Sequence, residues 1–179
     1  RDYGVNIIIH SMTKWMGGHG TGIGGIVVDC ANFDWTDSKY SLFNEPDPSF
    51  HGLRFAHDLG EDNGIAFISR LRSVPLRNLG SNISPDNAWI FIQGLETLAL
   101  RMRQHCANAS VVAEFLSEHP HVEWVRYPGL IDDPDHETAK KYFKRGYGGM
   151  VVFGIRGGRA DGEKFINQLS LVSHMANVG

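Results

Sequence analysis

The sequence contains only two cysteines, Cys30 and Cys106, which lie far apart and in no spacing typical of a metal site. This scarcity argues against a disulfide framework and favours free thiols in a reducing compartment such as the cytoplasm. The sequence also lacks any apolar run that approaches the roughly 20 residues of a membrane span, and no signal peptide is visible. These absences argue against the disulfide-rich secreted and integral membrane classes.

A strong charge of either sign is lacking as well, because 17 Lys and Arg residues face 20 Asp and Glu residues, for a net charge of −3. We therefore expect neither a nucleic-acid partner nor an acidic membrane surface. Apolar residues make up an ordinary 42% of the 179 residues, which suffices for the core of one domain or one and a half. The chain begins at Arg1 and enters a strand pattern within a few residues, so we expect a fragment of a longer protein.

The first part of the chain reads as two strands and a long loop. Residues 5–9 and residues 25–29 are β-branched runs that predict fully buried strands, which we expect to be parallel. The glycine-rich connection between them needs backbone freedom or a close approach to another element. Residues 32–60 predict a long ordered surface loop of a kind that is often functional. Residues 65–77 are compatible with either helix or strand.

An apolar stripe with spacings that alternate between four and three residues predicts one helix of about 30 residues. Ser84 suits the N-cap, Pro85 the first helical position, and His119-Pro120 ends the pattern. The stripe comprises Ala88, Ile92, Leu95, Ala99, Met102, Cys106, Ala109, Ala113 and Leu116.

Strand and helix patterns alternate after the long helix. VEWVRYP and GMVVFGI read as strands, whereas DHETAKKYF and DGEKFINQLSLV read as helices. The alternation predicts a small α/β layer. We therefore expect a first domain over residues 1–118 and a second over residues 119–179.

Ser11, Thr13 and Lys14 stand at the end of the first strand, where open α/β sheets bind ligands. Partial burial lowers the pKa of a lysine, and its neutral amine can then form a Schiff base with a carbonyl. Pyridoxal phosphate (PLP) is an aldehyde that fits such a site, because the two hydroxyls can donate to its phosphate. The same residues are equally compatible with an exposed lysine beside hydroxyls that cap a turn.

Two other motifs compete for this segment. Ser11 and Lys14 satisfy the S-x-x-K pattern of serine–lysine hydrolases, but the companion tripeptides S-D-N and K-T-G are absent. Residues 20–25 match G-x-G-x-x-G, but a strand pattern follows instead of the helix that dinucleotide binding requires. His51 and His57 in the long loop could line a site, although a surface role fits them as well.

The string HSMTKWMGGHGTGIGGIVVDCANFDW resembles the lysine region of the Cys/Met-metabolism family of PLP enzymes. SPDNAWIFIQGLETLALRM resembles the interdomain helix of that family, and SHMANVG resembles a motif of its small domain. The extended GGHGTGIGG, followed by FDW and EPDPSFHG, is most similar to the O-acetylhomoserine sulfhydrylase branch.

The resemblance implies the aspartate-aminotransferase-like fold, fold type I of the PLP enzymes. In this α/β architecture the chain would contribute the end of the large mixed-sheet domain and the start of the small domain. The resemblance further implies that Lys14 holds PLP as a Schiff base and that Ser11 and Thr13 bind its phosphate. The remaining site residues would precede Arg1 and follow Gly179, so we expect the chain alone to be inactive.

The activity that the resemblance implies is γ-replacement, in which O-acetylhomoserine and sulfide yield homocysteine and acetate. Lys14 would also act as the general base at the α-carbon. The resemblance implies a homotetramer built as a dimer of dimers. A related γ-lyase or a cystathionine synthase or lyase would use the same lysine, and a non-catalytic interaction fragment is a second alternative.

Overall fold

The chain forms two compact units, Arg1–Gly94 and Leu95–Gly179, which divide within one long helix. The computed structural model describes residues 2–175, apart from the side chains of residues 61–63. The end of the SHMANVG motif, residues 176–179, therefore lies outside the described residues. The domain boundary predicted after residue 118 stays a prediction.

The first unit begins with two paired strands, β1 (Ile7–Ser11) and β2 (Gly25–Asp29). The two strands and the glycine-rich connection between them confirm the prediction from sequence. The expected parallel direction is wrong, because β1 and β2 pair antiparallel with Ser11 opposite Gly25. The expected full burial is not reached within this chain, since Ile9 is 76% exposed. β-branched composition favours a strand but does not reveal which of its faces another element covers.

Residues 32–60 form the predicted ordered loop, which contains one short helix, α1 (Ser41–Asn44). Aromatic rings pack inside the loop, with the Trp35 ring centroid 4.3 Å from Phe43 and 4.5 Å from Phe33. The Asn44 side-chain amide nitrogen lies 2.9 Å from the carbonyl oxygens of Trp35, Asp37 and Tyr40, which share its two N–H donors. The loop is thus ordered by its own side chains.

The segment that sequence patterns left open is helical. A 3₁₀ turn (Gly60–Ile65) leads into α2 (Ala66–Leu71), a π-helical turn (Arg72–Leu76) and α3 (Arg77–Leu79). The π turn contains Pro75, which has no N–H to donate to the regular helical ladder. The segment ends at Gly80, whose φ of +66° is the left-handed conformation that closes many helices.

The long helix, α4 (Pro85–Ser117), has 33 residues and confirms the strongest sequence prediction. It begins as predicted, since the Ser84 hydroxyl oxygen accepts the N–H of Asn87 at 3.2 Å. The predicted stripe is buried in the second half of the helix, where Ala109 is 6% exposed and Ala113 is fully covered.

In the first half of α4, the predicted stripe is not the face that this chain buries. Ile92 is 60% exposed and Leu95 is 43% exposed, whereas Phe91 is 1% exposed and Gly94 is buried. The buried face of α4 therefore contains Phe91, whose ring fits its neighbours, and Gly94, which has no side chain. Shape complementarity with the neighbouring backbone determines which face is buried, and the spacing of apolar residues in the sequence does not reveal it.

The second unit contains the predicted alternation of strands and helices. Strand β3 (Val122–Arg126) precedes helix α5 (His136–Tyr142), and strand β4 (Val152–Ile155) precedes helix α6 (Arg159–Asn167). β3 and β4 form a two-stranded antiparallel sheet.

Tyr127 lies at the centre of the core of the second unit and is 1% exposed. It packs with Ala109 and Ala113 of α4. Its hydroxyl lies 3.3 Å from the carbonyl oxygen of Cys106 and 3.2 Å from that of Gly148, so it can donate to either. Burial raises the pKa of the Tyr127 hydroxyl, which keeps it a donor at neutral pH.

The buried Asp133 carboxylate fixes the chain that leaves β3. It accepts the backbone N–H groups of Tyr127 at 3.0 Å and Asp135 at 2.9 Å, and the Arg126 Nε–H at 3.1 Å. Burial by itself raises the pKa of Asp133, but the N–H donors and the Arg126 charge outweigh it and hold the pKa below its ordinary value of 3.8.

We expect Asp133→Asn to lower the local opening free energy of the Tyr127 amide by about 1–3 kcal/mol, because the new amide group presents a donor where N–H groups already point. Hydrogen exchange of the full-length gene product measures this loss. The depressed pKa contributes stability above the unfolded value of 3.8, and that contribution is lost as pH falls through the folded pKa. Protection, corrected for intrinsic exchange, should therefore fall below pH 3.8 in the wild type.

Asp132→Asn is the matched control, since Asp132 is the residue before Asp133 and its side chain is exposed. It should leave protection of the Tyr127 amide unchanged. Equal effects of the two variants would contradict the role given to the Asp133 carboxylate.

Candidate active site

Lys14 lies in a compact turn directly after β1. The Met12 N–H extends the strand pairing by donating to the carbonyl oxygen of Gly24 at 2.9 Å. The chain then closes on itself, since Gly17 N–H donates to Met12 O at 2.9 Å and Gly18 N–H donates to Lys14 O at 2.7 Å. Lys14 itself is half-buried in this turn. We call residues 12–18 the lysine turn.

Thr13 ties the lysine turn to the start of β2. Its hydroxyl donates to the carbonyl oxygen of Gly24 at 3.3 Å and accepts the N–H of Gly24 at 3.1 Å. A hydroxyl has one donor and two acceptor lone pairs, so one lone pair remains. The side chain is partly buried, which makes these two bonds a local structural link.

Ser11 is the last residue of β1 and is exposed. Its hydroxyl oxygen accepts the N–H of Thr13 at 3.3 Å, which leaves the Ser11 O–H as a donor toward solvent or a ligand. Ser11, at the end of β1, thus adjoins the lysine turn that contains Thr13 and Lys14.

Sequence patterns missed the two residues of α4 that hold the lysine turn. The ring of Phe91 packs against the glycines of the connection, and a Cβ added at Gly17 would lie 3.0 Å from that ring. A Cβ added at Gly94 would overlap the carbonyl oxygen of Met16 and lie 2.5 Å from that of Gly17. A glycine on a helix opposite a glycine-rich connection is the signal that could have identified this close approach.

The other sequence candidates lie elsewhere or take other forms. Residues 20–25 lead into strand β2, so the helix that a dinucleotide fingerprint requires does not follow them. In the long loop, the His57 Nε2 atom lies 2.7 Å from the Asn44 side-chain oxygen, and the His51 ring lies 5.5 Å from that of Phe50. The partners of both histidines are thus in the loop itself.

With residues 61–63 left aside, residues 2–175 contain no group of three or more His, Cys, Asp or Glu side chains arranged to hold a metal ion. In the same residues, no helix is both long enough and apolar enough to cross a membrane. Cys30 and Cys106 are free cysteines.

Residues 2–179 match the family described as Cys/Met metabolism PLP-dependent enzyme. The chain belongs to this family. The predicted family and its cofactor, PLP, are therefore confirmed, and the serine–lysine hydrolase alternative is set aside.

Two curated relatives cover 99% of the chain. O-acetyl-L-homoserine sulfhydrylase of Leptospira meyeri is 51% identical, and homocysteine synthase of Schizosaccharomyces pombe is 46% identical. The chain spans 41% of the length of each.

A solved structure from Campylobacter jejuni, described as a putative O-acetylhomoserine (thiol)-lyase, is 35% identical with a TM-score of 0.89. It covers 99% of this chain, which spans 43% of that chain. It contains N'-pyridoxyl-lysine-5'-monophosphate. The predicted fold class, fold type I of the PLP enzymes, is confirmed by this likeness.

We expect Thr13→Val to speed hydrogen exchange of the Gly24 amide, because the variant keeps the shape of the side chain and removes the acceptor of that N–H. The loss should be about 0.5–1.5 kcal/mol of local opening free energy. Thr13→Ser is the matched control, since it retains the hydroxyl. Equal protection of Gly24 in the valine and serine variants would contradict the link.

Proposed function

We propose that the chain is the lysine-bearing part of a PLP-dependent O-acetylhomoserine sulfhydrylase, which converts O-acetylhomoserine and sulfide to homocysteine and acetate. One observation carries this proposal. A half-buried lysine lies within three residues of two hydroxyls at the end of a strand, in a chain 51% identical over 99% of its length to an O-acetyl-L-homoserine sulfhydrylase.

Ser11 and the residues of the lysine turn fit PLP. Ser11 offers a hydroxyl donor to the phosphate, because its oxygen accepts the Thr13 N–H and its own O–H remains to donate. Thr13 can offer a second donor, since Gly24 O still accepts the Met12 N–H at 2.9 Å after the Thr13 O–H turns away. Lys14 Nζ would form the carbon–nitrogen bond to the aldehyde carbon.

PLP, when bound, supplies an electron sink that makes loss of the substrate α-proton tolerable. With cofactor and substrate bound, the Lys14 amine would lie beside the α-carbon and take that proton as general base. The same Nζ can return protons later, because the turn keeps Lys14 near its starting position. Only a neutral amine can accept this proton.

We further propose a cytoplasmic homotetramer built as a dimer of dimers. The free thiols of Cys30 and Cys106 support a reducing compartment. Exposed apolar side chains on α4, among them Trp89 and Ile92 at 60% each, support burial against other protein.

We expect Lys14→Ala in the full-length gene product to lower turnover by at least about 10³-fold, because the variant loses both the covalent anchor and the base. Lys14→Arg should fail equally, since a guanidinium stays protonated. Borohydride treatment followed by peptide mass mapping should place a pyridoxyl group on Lys14 of the wild type only.

Lys39→Ala is the control, because Lys39 is an exposed lysine paired with Asp37 at 2.9 Å. It should retain both the label on Lys14 and the turnover. A pyridoxyl label that persists in Lys14→Ala, or that sits on another lysine of the wild type, would overturn the proposal.

The related lyase activity is separated by the dependence on sulfide. A sulfhydrylase should form homocysteine from O-acetylhomoserine only when sulfide is present. Release of a 2-oxo acid and ammonia at the same rate without sulfide would identify a γ-lyase instead. A full-length protein that binds PLP nowhere would support the non-catalytic alternative.

A further inference from the structure

We propose that Phe91 and Gly94 on α4 are positioning residues for Lys14, which set where its backbone stands when the cofactor is bound. This inference deepens the proposed function and rests on it for the role of Lys14. Its structural part, that the first half of α4 holds the lysine turn, can be tested without the cofactor.

Phe91 is enclosed by glycines from both ends of the connection. A Cβ added at Gly17 would lie 3.0 Å from the ring, one at Gly22 would lie 3.4 Å away, and one at Gly24 would overlap it. The ring is 1% exposed, although the adjacent Ile92 is 60% exposed. The Phe91 ring therefore fills a space lined by backbone. Residues larger than glycine at positions 17, 22 and 24 would occupy part of that space.

Gly94 adds a contact between the two backbones. Its missing side chain lets α4 approach the carbonyl groups of Met16 and Gly17, which a Cβ would strike. Gly17 also closes the lysine turn through its N–H to Met12 O at 2.9 Å. The residue that α4 touches is therefore one that sets the shape of the turn around Lys14.

A third contact lies on the same face of α4. The Asn87 side-chain amide donates to the carbonyl oxygen of Ile23 at 3.4 Å. Asn87, Phe91 and Gly94 are spaced by four and three residues, which places them on one side of a helix. This face meets residues from both ends of the connection, so α4 clamps the connection as a unit.

Few residues separate Lys14 from the contacts that Asn87, Phe91 and Gly94 make with the connection. Gly24, which faces the Phe91 ring, bonds to the hydroxyl of Thr13 next to Lys14. Gly17 and Gly18 bond to the carbonyls of Met12 and Lys14 on the other side. A displacement of about 1 Å at a reacting group can cost roughly 10²-fold in rate, so the backbone of a covalent anchor needs such support.

The structural part is tested by hydrogen exchange in the cofactor-free full-length gene product. We expect Phe91→Leu and Phe91→Ala to speed exchange of the Gly17 and Gly18 amides by about tenfold or more, because the turn then opens locally at lower cost. Phe55→Ala is the matched control, since Phe55 is also 1% exposed but packs in the long loop, with its ring 6.0 Å from Phe50. It should leave these two amides unchanged.

A second arm uses rescue between two positions that touch. Gly24→Ala should speed exchange of the Gly17 and Gly18 amides, because its Cβ would overlap the Phe91 ring. Phe91→Leu in the same chain removes the ring edge that this Cβ would strike, so the double variant should exchange more slowly than Gly24→Ala alone. Additive damage in the double variant, or unchanged exchange in Phe91→Leu and Phe91→Ala, would overturn the structural part.

The positioning role is tested in the PLP-loaded protein by the pH midpoint of its visible absorption and by the dissociation constant of PLP. We expect Phe91→Leu to shift the midpoint and to weaken PLP binding by about tenfold, because Lys14 Nζ is displaced. Phe55→Ala should change neither, even where it lowers the melting temperature as much.

Equal shifts in the Phe91 and Phe55 variants, or wild-type values in the Phe91 variants, would overturn the positioning role. Failure of the proposed function is distinguishable from these outcomes, since it appears in the wild type as a missing pyridoxyl label on Lys14. The exchange results in the cofactor-free protein stand in either case.

Discussion

The packing of the Phe91 ring against the backbone of the glycine-rich connection is the contact on which the arrangement around Lys14 depends. The ring is 1% exposed, and the backbone at Gly17, Gly22 and Gly24 surrounds it. An aromatic ring can contact backbone this closely only where the backbone has no side chains, so glycines at these positions and the Phe91 ring form one feature. Without that contact, α4 would still meet the connection through Gly94 and Asn87, but the space between the glycines would be unfilled.

Glycines in the connection have two separate structural roles. Gly18 and Gly20 have φ values of +75° and +66°, which side chains disfavour, so they supply turns. Gly17 and Gly24 need no unusual φ, but their missing side chains allow the close approach of Phe91. One short segment therefore combines residues that bend the chain with residues that admit a neighbour, and a replacement would fail for a different reason at each kind.

Much of the fold follows from the sequence, because hydrophobic periodicity and capping are local. The strand at residues 25–29, the helix that starts at Pro85 and the later strands and helices were all predicted. Burial could not be predicted in the same way, since it depends on which element lies opposite. Ile9 is β-branched and exposed, whereas Gly94 contributes nothing to an apolar stripe and is buried. The candidate site at the lysine turn is predictable from its residue types, whereas the contacts of Phe91 and Gly94 that hold the turn are not.

The two hydroxyls beside Lys14 differ in a way that residue type alone does not reveal. Ser11 accepts one N–H and keeps its proton for a partner outside the turn, whereas Thr13 is bonded twice to Gly24. The carbonyl oxygen of Gly24 also accepts the Met12 N–H, so it keeps a hydrogen bond if the Thr13 O–H turns away. The N–H of Gly24 still donates to the Thr13 oxygen. Thr13 can thus hold the turn and donate to a phosphate at once, so the turn need not loosen when an anion binds.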